Sequence, residues 1–551
     1  MRTPRMLDVL SVLTLLTAFV VFPATAQTLY EAKMLGLEGG GAMQAYALNN
    51  YAQVVGRLQS ITEDADGTKI ITHALVWQNG EALDLSVELR WGKRILQLAY
   101  AVAFNLSDTH HVVGAVQCSD GLPVDQVDTD VRGGVYVHAF VYRPAVMSDL
   151  SSPYPGEAFT DLGVLPPPAP GGERSAATGI SPNGLYVVGW SDYDRNNRIH
   201  AFLVTPTGGV WTVPDEIVCD GTNALMTDLG TLNTLDATSS ATAVNNFGQV
   251  VGWSYTAYGS PTQKDGYAAF LIENPNDTNA DGRPDQWFVA GPNGANALMT
   301  DLGTLGGHNS WARALNDACQ IVGESDTGTF QTHAFVWNPN PPRMTDLGTL
   351  GGNNSAAAAI NEIDPNRVPD ARFRGAVVGW ALNAAGAKRA FVVFPRDLNA
   401  DGYPDQWYAD ANGDGLNDLM FDLNDWLPSG FKVRLTEARD INGGGQITGF
   451  GQIGADENGQ QMAYLLTPTT ATAGGTPRIV TTRQDVVLAP VDAQPGQADQ
   501  PSQTPSEPSG TTAQTYGPLH FLCGVGFTNL LPLVLTGLLG LKLRARAART
   551  R

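Results

Sequence analysis

The chain has 551 residues with 54 acidic side chains against 33 Lys and Arg, a formal net charge of -21. A body this acidic repels phosphate backbones, which argues against nucleic acid as a partner and suits solubility and divalent cations. Four cysteines are too few for disulfides to carry a chain of this length, and only Cys118, Cys219 and Cys319 lie before the C-terminal segment.

The first element is a predicted secretory signal peptide over residues 1–26. Arg2 and Arg5 precede an apolar run from Val9 to Phe22, and Pro23-Ala24-Thr25-Ala26 supplies small residues of the Ala-x-Ala type, so cleavage is expected before Gln27. The apolar run is short for a membrane span of about 20 residues.

Residues 27–467 are built from one recurring pattern. Its clearest copy runs Asp301-Leu302-Gly303-Thr304-Leu305-Gly306-Gly307, Ala312-Arg313-Ala314-Leu315-Asn316, Gln320-Ile321-Val322-Gly323 and His333-Ala334-Phe335-Val336-Trp337. The apolar-apolar-Gly element returns seven times, ending at Gly56, Gly114, Gly189, Gly252, Gly323, Gly379 and Gly449. A form of His-Ala-Phe follows each one. Seven units spaced 56 to 75 residues apart mark a repeat architecture. Polar turns such as Asn245-Asn246-Phe247-Gly248 join the first two strands of a unit, because Asn and Gly tolerate positive φ. A third strand holds His-Ala-Phe and a fourth holds Met-Thr-Asp-Leu-Gly. The predicted fold is all-β: a propeller of seven four-stranded blades, with a β-solenoid as the alternative. Met34-Leu35-Gly36 looks like the fourth-strand motif yet precedes the first unit, and the last unit has no fourth strand of its own. An N-terminal strand closing the last blade is therefore expected, since it hides both sheet edges.

These residues resemble the HAF repeat of bacterial extracellular proteins, over residues 31 to about 466. The resemblance implies export and a propeller-like fold, without an assigned activity or catalytic residues.

Insertions at 274–296 and 396–418 separate the third and fourth strands of units four and six. They contain three copies of D-x-N-x-D-G-x-x-D: Asp277, Asn279, Asp281 and Asp285; Asp397, Asn399, Asp401 and Asp405; Asp410, Asn412, Asp414 and Asp418. Oxygen ligands at this spacing, with Gly at position 6 for the sharp turn, suit calcium. Position 12 is Phe288 in the first loop and Tyr408 in the second, so the bidentate Glu of an EF-hand is missing. The loops are closer to those of thrombospondin type 3 repeats and FG-GAP propeller blades. A structural calcium role is expected. Asp64-Ala65-Asp66-Gly67 is a fragment of the pattern and reads as a plain turn.

Residues 468–516 are rich in Thr, Pro, Gln, Ser and Ala, a composition that cannot bury enough apolar area to order itself, and are expected to form a disordered linker. Residues 517–551 form a predicted transmembrane anchor: Phe521 to Leu541 is nearly uncharged, and Lys542, Arg544, Arg546, Arg549 and Arg551 follow at once. This tail is similar to bacterial sorting signals of the PEP-CTERM general type. It lacks Pro-Glu-Pro, and Cys523-Gly524 resembles the Cys- or Gly-marked variants.

The histidines at His73, His138, His200 and His333 and the aspartates at Asp161, Asp228, Asp301 and Asp346 repeat with the units, which points to structural use rather than catalysis. Trp190, Trp253 and Trp380 follow the second-strand glycine, where they either line a ligand face or pack. His110-His111 sits in a hairpin turn without a partner that the sequence can place. No Gly-x-Ser-x-Gly, His-Glu-x-x-His or phosphate-cradling loop is present. The expected function is a calcium-stabilised binding or scaffolding module at the cell surface, contacting a polysaccharide or surface protein. The alternatives are a propeller hydrolase acting on glycans and a structural surface-layer component.

Overall fold

The computed structural model describes residues 30–35 and 42–469, except 65–66, 80, 86–89, 92–93, 96–100, 119–135, 144–158, 167–173, 194–197, 207–210, 212–221, 234–236, 257–265, 274, 281, 429 and 454–459; beyond 469 it describes only 478–479 and 486–487. The signal peptide, the anchor, Asp281 and Cys219 lie outside the described residues, as does almost all of the linker. Among the described residues no helix is long and apolar enough to cross a membrane.

Seven antiparallel four-stranded sheets form a ring, the blades of a β-propeller, in place of the solenoid alternative. Blade one is Ala42–Leu48, Val54–Asp64, Gly67–Gln78 and Glu81–Asp84. Blade two is Ala101–Leu106, Val112–Cys118, Tyr136–Tyr142 and Phe159–Gly163. Blade three is Ser175–Ile180, Val187–Asp192, Ile199–Val204 and Met226–Gly230. Blade four is Ser239–Val244, Val250–Thr256, Gly266–Ile272 and Met299–Asp301. Blade five is Gly306–Leu315, Ile321–Thr327, Thr332–Pro339 and Pro342–Gly348. Blade six is Gly351–Ile360, Val377–Asn383, Lys388–Val393 and Met420–Asp422. Blade seven is Val433–Ile441, Ile447–Ile453 and Gln461–Pro468, completed by Tyr30–Leu35 from the other end of the chain. The closing strand begins at Tyr30, ahead of the motif that signalled it. Met34 takes the place of the repeat aspartate, opposite Tyr464, which takes the place of the repeat phenylalanine.

The motif residues are those that the blade geometry requires. In every blade the first strand bulges opposite the second-strand glycine, with register breaks at Ala45/Ala47, Ala103/Asn105, Ala177/Gly179, Ala241/Ala243, Ala312/Ala314, Ala357/Ala359 and Ala438/Asp440. The bulge carries one extra residue and brings a carbonyl toward the glycine. A Cβ on any of the seven glycines would lie 1.9–2.1 Å from that backbone oxygen. The His-Ala-Phe phenylalanines Phe140, Phe202, Phe270, Phe335 and Phe391 are fully buried, and Tyr464 fills the same place in blade seven. Each of these rings closes on apolar residues of its own and an adjacent blade, so the core is divided into successive inter-blade clusters.

The repeated histidines and aspartates turn out to be one device. His73, His138, His200 and His333 each set Nδ1 against the fourth-strand aspartate of the same blade: Asp84, Asp161, Asp228 and Asp346, at 2.7, 2.9, 3.0 and 2.8 Å. The last three aspartates, and Asp301 of blade four, also accept the N–H of the glycine two residues on, capping the turn. Blade six substitutes Arg389 facing Asp422, and blade seven has Met462 and Met34. His138→Ala removes the partner of a buried carboxylate and is expected to cost about 3 kcal/mol. His333→Ala at a half-exposed pair is expected to cost about 0.5 kcal/mol. Urea titration of the two variants checks the difference.

A serine in the first strand of blades three to six escaped the sequence reading. Ser175, Ser239, Ser310 and Ser355 each accept the N–H of the preceding blade's His-Ala-Phe alanine and donate to its Asp-Leu-Gly glycine carbonyl. Its recurrence two residues before the alanine was the available signal.

Candidate binding face

Chain direction places the turns between first and second strands, and the connections between third and fourth strands, on one face of the ring. The long insertions therefore share a face with the mouth of the central channel. Elaborated loops on a rigid scaffold are where binding residues concentrate.

The mouth is framed by the asparagine that ends Ala-x-Ala-Leu-Asn. Its Oδ1 accepts backbone N–H groups of its own turn, as Asn316 does from Ala318 and Gln320. Its Nδ2 donates to the next blade's carbonyl: Asn49 to Ser107, Asn245 to Asn316, Asn316 to Asn361, Asn361 to Asn442 and Asn442 to Asn49, at 2.9–3.2 Å. The last of these bonds closes the ring across the chain's two ends. A second ring runs one residue further on. Asn50 donates its N–H and Nδ2 to Asp108, Asn246 does the same to Asp317, and the Asp317 N–H donates to Glu362. His110 finds its place here as well. It is buried, lies tilted against the Tyr51 ring at 4.8 Å and meets Gln53 across the blade boundary. Burial pushes the neighbouring His111 imidazole down to about 4.

Within the mouth lies a cavity of about 160 Å³, lined by all seven blades and including Asn50, Asp108, Glu362, Arg367 and Asp440. Arg367 comes from an insertion between the first and second strands of blade six and pairs with Asp317 and, at 3.1 Å, with Glu362. Burial and the Asp317 carboxylate push the Glu362 carboxyl up to about 8 against the pull of Arg367. Burial pushes Asp440 up to about 7, although its oxygens accept the Leu48 and Ile441 N–H groups. Carboxyls with a raised folded pKa bind more protons in the native state than in the unfolded one, so stability falls as pH rises from the ordinary carboxyl range to the folded values. Melting temperature is expected to fall between pH 5 and 8, and Glu362→Gln to flatten that slope.

The two insertions share one design. Asn276 and Arg396 bridge Gln286 and Gln406, while the Trp287 and Trp407 Nε1–H groups donate to the turn carbonyls of Gly248 and Gly375, each at 2.8 Å. In all three aspartate loops Oδ2 of the first Asp accepts the position-6 glycine N–H: Asp277 from Gly282, Asp397 from Gly402 and Asp410 from Gly415, at 2.8–3.0 Å. The last Asp accepts the position-2 N–H: Asp285 from Thr278, Asp405 from Leu398 and Asp418 from Ala411. Asn399 and Asn412 donate to Asp401 and Asp414. Asn279 is exposed. Among the described residues no three His, Cys, Asp or Glu side chains are gathered at one point to hold a metal. The donor set is nevertheless all oxygen, and the third loop holds an unbalanced one. Asp418 is 4% exposed, and its Oδ1 is buried without a hydrogen-bond partner among the described residues. A hard cation fits that atom.

The tryptophans lie elsewhere. Trp190, Trp253 and Trp380 are half-buried past the mid-strand glycine, toward the other face. Trp253 meets Tyr267 edge-on at 5.2 Å, and the Lys388 ammonium sits 4.3 Å over Trp380. Trp253 and Trp380 thus pack against the third strand of their own blades. Cys319 is buried and disulfide-bonded.

The molecule is thus a seven-bladed β-propeller with one elaborated face. No protein-family model and no curated protein matches the chain. Solved structures similar to it include TolB from Acinetobacter baumannii, at TM-score 0.30 and 10% identity over 74% of this chain and 79% of that one. A triple arginine-to-alanine mutant of AofleA from Arthrobotrys oligospora aligns at TM-score 0.24 and 11% identity, over 69% and 89% of the two chains. A glutamate-to-glutamine mutant of fructan 1-exohydrolase IIa from Cichorium intybus, in complex with 1-kestose, aligns at TM-score 0.23 and 12% identity, over 80% and 94%. Likenesses this distant assign neither ligand nor activity.

Proposed function

We propose that the protein is an exported HAF-repeat module, held at the cell surface by its C-terminal segment, that binds or scaffolds a polysaccharide or surface protein through the elaborated face, with calcium holding the aspartate loops. The observation that carries this reading is the coincidence of the insertions, the channel mouth and its charged cavity on one face of an otherwise regular ring. Calcium would be held by Asp410, Asn412, Asp414 and Asp418, and by the matching residues of the 277–285 and 397–405 loops. Its role there is to pin a long loop, since a cation that binds only the folded loop stabilises it. Calorimetry on residues 27–468, which contain all strands of the ring, is expected to give a stoichiometry near three and a large drop in melting temperature on chelation. No heat of binding and no shift would remove calcium from the proposal.

One observation favours the hydrolase reading: Asp108, Glu362 and Asp440 converge on a single cavity, and burial holds two of them protonated toward neutral pH. Release of reducing ends from a polysaccharide panel, abolished by Glu362→Gln, would establish it.

A further inference from the structure

Positive charge gathers at the end of the ring opposite the insertions. Lys388 opens the third strand of blade six, Arg434 lies near the start of the first strand of blade seven, and Gln452 and Gln461 flank the turn between that blade's second and third strands. One contact network joins these positions to blade one. Lys388 and Arg439 both donate to Glu437, Arg439 at 2.6 Å. The Arg439 guanidinium lies 5.9 Å from the Tyr46 ring, whose hydroxyl donates to the Gln44 Oε1 at 2.7 Å. The same oxygen accepts the Arg57 Nε–H at 3.0 Å, and the Gln44 amide donates to Gln461 at 2.6 Å. Gln461 faces Gln452 in the ladder, and Gln452 accepts from Arg434 at 2.6 Å.

Among the described residues this network holds four cations and one carboxylate, in a chain of formal net charge -21. Arg57 and Arg434 rest on neutral amides, which satisfy a hydrogen bond and leave the charge uncompensated. The Nε–H groups of Arg434 and Arg439 are buried and meet no acceptor among the described residues. A buried donor without an acceptor is costly, and an anion supplies the acceptor and the missing charge together. Ring faces border the cations: Tyr46 lies 5.9 Å from Phe104, and the Lys388 ammonium sits 4.3 Å over Trp380. Guanidinium matches a planar carboxylate, amides match hydroxyls, and aromatic faces take the apolar face of a sugar ring. A bare phosphate uses only the first of these.

We propose that this seam is a binding site for an acidic oligosaccharide, whose uronate carboxylates pair with Arg57 and Arg434 while its hydroxyls take the glutamine amides. The site lies at the opposite end of the ring from the elaborated face and rests neither on that face nor on calcium. Repulsion from the acidic body is screened beyond about 8 Å at physiological ionic strength, so a short stretch of sugar is admitted where a long polyanion is not.

The test is calorimetric titration of the full chain with trigalacturonate, with its full methyl ester as the uncharged control. The acid is expected to bind about tenfold more tightly than the ester, and Arg57→Gln combined with Arg434→Gln to weaken the acid by about tenfold. Arg343→Gln removes an exposed cation of blade five at the elaborated end and is expected to change affinity by less than about twofold. Asp456 and Glu457, in the turn between Gln452 and Gln461, lie outside the described residues. Neutralising both is expected to leave binding as tight or tighter. No binding by the wild type, an equal loss in Arg343→Gln, or weaker binding without Asp456 and Glu457 overturns the proposal. Should the double arginine variant not fold, the wild type decides: trigalacturonate is expected to slow phenylglyoxal modification of Arg57 and Arg434 severalfold and to spare Arg343, and unchanged rates overturn it. Glycerol phosphate that binds as tightly as trigalacturonate assigns the seam to a phosphate headgroup and overturns the sugar. Failure of calcium to bind leaves this test untouched.

Discussion

Deleting residues 27–35 is expected to open the ring and release blade seven, the largest loss of stability available from so short a segment. Tyr30–Leu35 is the fourth strand of that blade, paired residue by residue from Tyr30 opposite Pro468 to Leu35 opposite Ala463. Tyr30 and Leu35 are 2% and 1% exposed, and the Tyr30 ring stacks on Trp426 at 6.4 Å. Truncating a buried leucine to alanine costs about 2–5 kcal/mol and a buried aromatic about 3–5 kcal/mol. Either loss is a large fraction of the roughly 5–15 kcal/mol that holds a typical domain folded. The deletion adds the loss of the ladder and a newly exposed edge strand. Leu35→Ala alone is expected to lower stability by about 3 kcal/mol, and the deletion to admit protease between Val433 and Pro468 before any other blade. A deletion variant that melts and digests like the parent would show that the ring closes by other means.

Gly323→Ala is expected to cost on the order of 3 kcal/mol, in a substitution that adds one methyl group. The cause is space and not φ, because Gly323 is not among the residues with positive φ. A Cβ there would stand 2.0 Å from the Trp311 carbonyl oxygen, and the bulge at Ala312/Ala314 fixes that oxygen. No rotamer change relieves a clash with backbone, so the first two strands of blade five must part. Gly328 is the control. The nearest atom to a Cβ there is 3.9 Å away, and Gly328→Ala is expected to stay within about 1 kcal/mol of the parent. Equal urea midpoints for the two variants would mean that the glycine of the repeat marks something other than close approach.

These glycines also show how much of the fold the chain declares. Gly323 and its six counterparts, spaced through alternating apolar strands, are enough to count blades, and the stray Met34-Leu35-Gly36 is enough to expect closure by the N-terminal strand. Both readings depend on local pattern, which a single chain displays. What failed to show was whatever depends on two strands or two blades meeting. His333 and Asp346 read as separate structural residues, although they form one contact between adjacent strands. Asn245 read as a turn residue, and its bond to the Asn316 carbonyl exists only because the ring sets blade five beside blade four. Arg367 and Asp440 carry no periodic signal. They become notable only when the channel brings them to one cavity. The aspartate loops were legible for the opposite reason, since all their donors lie within nine residues.

The most direct measurement of a calcium-held binding face is amide hydrogen exchange of the full chain, in calcium and in chelator, read at Gly282, Gly402 and Gly415. These N–H groups are the ones accepted by Asp277, Asp397 and Asp410, so a cation that orders those carboxylates also protects the amides. The expected result is exchange at least tenfold faster in chelator at all three glycines, with the Ile321–Thr327 ladder unchanged. Identical exchange at the three glycines in both conditions would contradict a face held by calcium.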